Sequence, residues 1–177
     1  FMKSTGKNII NILLSENGEF LESQWIPKDE YIIFPVTEDS ASNVYAHPLC
    51  DNLHYMAKEF NPDKHDMYRK ELSKWMNYAA HNGDRNDLLQ IIYTYIGQET
   101  IFNDCQSETL QGIDAKKLKD IYITFTVEHS DSMDESISIS TNLHQHFIRF
   151  MHNQNEAKVK DICDVSGQRM YCTTRHI

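Results

Sequence analysis

The chain has 177 residues, enough for one ordinary domain with a sizeable core. Apolar residues make up 40% and aromatics 11%, which excludes a disordered chain. A net charge of −9 opposes the simplest nucleic-acid reading, because proteins that hold DNA alone present a basic face.

In chain order, residues 8–15 are rich in isoleucine and leucine, and Asn17-Gly18 follows as a two-residue hairpin signal. Residues 19–26 form the return strand, closed by Pro27, and 31–36 add a third. A polar loop, 37–43, then runs to His47-Pro48, where proline stops any regular element. Asp51 or Asn52 caps a helix through Leu53, Met56 and Ala57. Asn61-Pro62-Asp63 opens a longer helix with Tyr68, Leu72, Trp75, Met76 and Ala79 at helical spacing, ended by Asn82-Gly83. Asp84 caps the next, whose buried stripe is Leu88, Leu89, Ile92, Tyr95 and Ile96, closed by Gly97. The two read as an antiparallel pair.

Residues 100–115 are weakly patterned. Ile121, Ile123, Phe125 and Val127 alternate with polar neighbours, the mark of a half-buried strand. After a loop at 129–135, Ser140 or Thr141 starts a helix carrying Leu143, Phe147, Phe150 and Met151. Residues 161–166 read as a short strand and Gly167 as a turn. The expectation is one α+β domain over 1–177, a small antiparallel sheet with an N-terminal hairpin packed with about four helices.

Zinc-type ligands occur at His47, Cys50, Cys163, Cys172 and His176, but without the close cysteine pair that zinc sites use. His144 and His146 point to different sides of a helix. Neither a metal nor a cofactor is expected. Ser40-Ala41-Ser42 lacks a nucleophile elbow, and Ser4-Thr5-Gly6-Lys7 lacks the glycine and hydroxyl positions of a phosphate loop. The chain therefore reads as no enzyme. Four scattered cysteines, no signal peptide and no apolar run of membrane-spanning length lead to an expected cytoplasmic setting.

Binding is the remaining class. Thr37, Ser40, Ser42 and Asn43 offer hydroxyls and an amide that contact phosphates or base edges without full charge. Asn52 follows the loop, and Lys28, Lys58 and Lys64 lie on either side of it in sequence. The competing reading is that the loop only satisfies its own backbone and the following helix.

The same stretch carries a resemblance. Ile32-x-Phe34-Pro35-Val36-Thr37-Glu38-Asp39-Ser40-Ala41-Ser42, then His47-Pro48-Leu49-Cys50-Asp51-Asn52-Leu53-x-Tyr55, resembles the large, PAM-reading subunit of type I-C CRISPR interference (Cascade) complexes. Later blocks agree in order: Lys64-His65, Ile91 to Ile96, Ile123-x-Phe125-x-Val127-Glu128 and Asp161 to Gly167. The likeness runs from about Gly18 to His176 and covers only the N-terminal region of such subunits. The family usually places a basic residue after Ser-Ala-Ser and a longer loop before His-Pro-Leu-Cys-Asp; here Asn43 follows directly.

The resemblance implies a non-catalytic part that docks on the subunit holding the guide RNA's 5′ end and helps recognise the PAM. Implied partners are other Cascade subunits, guide RNA and target double-stranded DNA, with no membrane and no small-molecule substrate. Lys28, Thr37, Ser40, Ser42, Asn43, Asn52 and Lys58 are the candidate nucleic-acid contacts. The rival is a stand-alone interaction domain that kept the fold without DNA binding.

Overall fold

A computed structural model describes residues 2–5, 8–35, 46–83, 86–106 and 108–166. Its centre is a pair of seven-residue strands, β2 (Ile9–Ser15) and β6 (Tyr122–Glu128), which run parallel from Ile9↔Tyr122 to Ser15↔Glu128. A parallel pair needs a crossover, and here nearly everything between the two strands serves as one. β3 (Phe20–Trp25) pairs antiparallel with the free edge of β2. Two short strands, β5 (Asp51–Asn52) and β7 (Glu135–Ser136), share the outer edge of β6 at its opposite ends.

The hairpin forms where Asn17-Gly18 placed it, with a different turn. Ser15 and Glu19 close a three-residue loop, and only Gly18 of the pair takes a positive φ, 78°. That is a turn followed by a left-handed glycine; farther along, the register shifts between Leu13 and Leu14, where Leu21 of β3 is passed over in the pairing. The third strand, β4 (Tyr31–Phe34), does not extend this sheet. It pairs antiparallel with β1 (Met2–Thr5) as a separate ribbon. Alternation shows which face a strand buries but not its partner.

One sheet face carries Ile10, Ile12 and Leu14 beside Ile123, Phe125 and Val127, all buried in the main core. Against it pack α2 (Pro62–His81), α3 (Asp87–Gly97) and α6 (Thr141–Ser166). α2 begins as expected, with Asn61 accepting the Lys64 N–H and proline in the first turn. Asn86 caps α3 through the Leu88 N–H; Asp84, expected there, lies outside the described residues. Ser140 accepts the Leu143 N–H at the start of α6.

Trp75, fully buried, donates its Nε1–H to His146 Nδ1 at 2.6 Å and lies among the rings of His146, Phe147 and Phe150. His144 turns elsewhere, its Nε2 lying 3.0 Å from the Ile137 carbonyl. A smaller core of Ile9, Ile32, Phe34 and Cys50 joins the β1–β4 ribbon to the main sheet's other face.

The expected strand at 161–166 is helix, the end of the 26-residue α6. Residues 155–160 hold good helix formers without glycine or proline, so nothing stops propagation before Gly167. The weakly patterned stretch contains α4 (Ile101–Gln106), and two single turns, α1 (Leu53–Met56) and α5 (Ala115–Leu118), complete six helices among the described residues. The α+β class with its N-terminal hairpin stands as expected. Among the described residues no helix is long and apolar enough to cross a membrane.

Candidate nucleic-acid interface

Thr37, Ser40, Ser42 and Asn43 lie outside the described residues, which resume on either side of them at Pro35 and Ala46. On the entering side Phe34 is 3% exposed, and on the returning side Ala46 is fully buried. The rings of Phe34 and His47 stand 6.3 Å apart, so the two ends are gathered at one place.

The returning end is built around Asp51, 2% exposed. Its Oδ2 accepts the His47 N–H and its Oδ1 the Asn52 N–H, both at 2.7 Å. A buried carboxylate thus satisfies one backbone donor at the start of the His47-Pro48-Leu49-Cys50 turn, which proline prevents from forming a regular element, and one in β5 just after it. The turn holds Leu49 at φ 76°, a left-handed conformation unfavourable for a branched side chain. Burial pushes the Asp51 carboxyl up to about 7, against the two backbone N–H bonds and the Lys64 charge, which pull it down. Burial also holds His47 below its ordinary value and raises the Cys50 thiol, which disfavours a reactive thiolate.

Of the two expected caps, Asp51 or Asn52, Asp51 instead staples the turn before the helix. Asn52 is the N-cap of α1 by position, yet its side chain makes no capping bond. Its Oδ1 is buried with no partner among the described residues. α1 itself is anchored by the backbone: Leu53 N–H donates to Ile121 O at 2.7 Å and His54 N–H to Lys119 O at 3.1 Å. Lys64, from α2, sits 4.8 Å from the centre of the Tyr55 ring. Burial, then the charges of Lys64 and Lys119, hold the His54 imidazole below its ordinary range.

The other two candidates separate. Lys58 ion-pairs with both oxygens of the Glu99 carboxylate, 2.9 and 3.1 Å away, so its charge is already answered on the surface. Lys28 stands exposed in the turn closed by Glu30 N–H and Pro27 O. The structure thus brings Asn52 to the platform, assigns Lys58 to Glu99 and leaves Lys28 elsewhere. Sequence reasoning passed over Trp25 and Lys117, which line one groove with Lys28. Their pairing spans about half the chain, and no local pattern announces it.

The site is thus a mixed sheet whose β6 edge carries a turn held by Asp51. The model of one family, described as CRISPR-associated protein (Cas_Csd1), matches residues 2–177, and the chain belongs to that family. No curated protein matches the chain.

Proposed function

We propose that the chain is a non-catalytic N-terminal portion of a type I-C-like interference-complex large subunit. It docks on the subunit holding the guide RNA's 5′ end and helps recognise the PAM of the target duplex through residues 37–43. Membership in the CRISPR-associated family over residues 2–177 is the observation that carries this reading. It makes other CRISPR-associated proteins the natural partners. The gathering of both loop ends beside the Asp51 staple supports it, since a loop held on a rigid platform suits recognition.

The test is a triple variant, S40A/S42A/N43A, in the reconstituted complex. If these residues face nucleic acid, its melting temperature should stay near wild type, because substitutions at exposed polar positions shift stability by about half a kcal/mol or less. Target binding should weaken. A loss confined to the correct PAM marks base reading; an even loss marks phosphate contact. An unstable variant with normal binding would sink the role assigned to the loop.

A second reading, a stand-alone interaction domain, is favoured by the net charge of −9 and by Glu99 neutralising Lys58. It expects the triple variant to bind target as wild type does.

A further inference from the structure

A groove of about 590 Å3 opens between the end of β3 and the stretch leading into α5. Trp25 and Lys28 line one wall, and Gly112, Asp114 and Lys117 the other, with Asn8 between them. Trp25 is 40% exposed, whereas Trp75, the other tryptophan, is fully buried. An indole left this open in a concave site presents a stacking surface.

The charges in the groove are available. Among the described residues neither Lys28 nor Lys117 has an ion-pair partner, while Lys58 and Lys74 are bound to Glu99 and Glu71. The acid of the lining, Asp114, is turned into its own helix start, its Oδ1 accepting the Lys116 N–H at 3.1 Å. Asn8 is exposed and its backbone is fixed, because its carbonyl accepts the Tyr122 N–H at 3.0 Å. Its amide can therefore donate to and accept from a base edge. Gly112, at φ 77°, has nothing within 4 Å of where a Cβ would stand, so that wall stays open.

Lys28 and Lys117 outweigh the one carboxylate of the lining, Asp114, so the groove is net positive and selects an anion, and an open indole selects a flat ring. An unpaired nucleotide supplies both at once. A duplex supplies only phosphates, because its base faces are hidden in the stack. We infer that this groove takes an unpaired nucleotide of a single strand, its base stacked on Trp25 and its flanking phosphates on Lys28 and Lys117. The inference extends the proposed function from the target duplex to an unwound strand, and rests on that reading only for its biological setting.

The test uses the full chain and the emission of Trp25, since Trp75 is shielded from solvent. An oligothymidylate of about ten nucleotides covers such a site, and base stacking is worth about 1–3 kcal/mol. At low salt it should quench Trp25 saturably, while a duplex of equal length and polyglutamate leave the emission unchanged. The exposed double variant K28E/K117E, checked for wild-type melting, should bind at least about tenfold more weakly. Its log–log salt slope should be shallower by about 1.4, two phosphates at roughly 0.7 each. W25L, read by anisotropy of the labelled oligonucleotide, should lose at least about fivefold.

Absence of saturable quenching, or unchanged affinity in the folded double variant, overturns the inference. So does equal quenching by the duplex, which would mark bare phosphate binding, or by polyglutamate, which would mark a site for an acidic protein segment. The proposed function fails separately, through target binding by the assembled S40A/S42A/N43A complex.

Discussion

Asp51 combines two opposed demands in one side chain. Its carboxylate answers two backbone N–H groups, yet burial penalises the charge those bonds favour. The folded carboxyl titrates near 7, above its ordinary 3.8, so the folded state binds this proton more tightly than the unfolded chain. The resulting stabilisation is complete below about 3.8 and is lost as pH rises through 7, with a slope of up to about 1.4 kcal/mol per pH unit. His47 and His54, shifted down, work in the opposite sense and are present in both proteins compared. Between pH 5 and 8, wild type should therefore lose urea stability relative to Asp51→Asn. Parallel pH curves for the two proteins would show that Asp51 does not titrate in this window.

At the scale of elements, the three long helices begin where a side chain answers one of their first N–H groups. Asn61 does this for α2, Asn86 for α3 and Ser140 for α6. α2 is the most exacting case, because it carries Tyr68, Leu72 and Trp75 into the core, each fully buried. Asn61→Ala should cost about 1 kcal/mol by urea denaturation, the usual value of such a cap. Gly18 is a stricter requirement of the hairpin: a Cβ there would stand 3.2 Å from the Ile91 carbonyl oxygen, on a backbone at φ 78°. Gly18→Ala should therefore cost more than Asn61→Ala, and a smaller loss would show that the hairpin yields without strain.

For the molecule as a whole, charge governs behaviour away from partners. The chain carries −9, Lys58 and Lys74 are committed to carboxylates, and Lys28 with Lys117 supplies only a local pair of cations. Alone, at physiological salt, the chain should show no submicromolar binding to arbitrary duplex DNA by anisotropy. Tight, salt-sensitive duplex binding would contradict this and point to a basic surface formed by residues beyond those described. Under the proposed function, the same chain within a complex would need only to add specificity to affinity supplied elsewhere.

Much of this architecture is written locally. Asn17-Gly18, Asn61-Pro62 and Ser140-Thr141 are boundary signals because capping and turn chemistry act over a few residues. The alternation from Ile121 to Val127 and the stripe from Leu88 to Ile96 followed from periodicity, which needs no knowledge of the partner. The tertiary structure decided what depends on distant chain: the parallel pairing of β2 with β6 and the separate ribbon of β1 and β4. It likewise gave Lys58 to Glu99, and set Trp25 and Lys28 in one groove with Lys117. Backbone pairing, ion pairing and concavity arise between segments that local propensity treats as independent, so only folding brings them together.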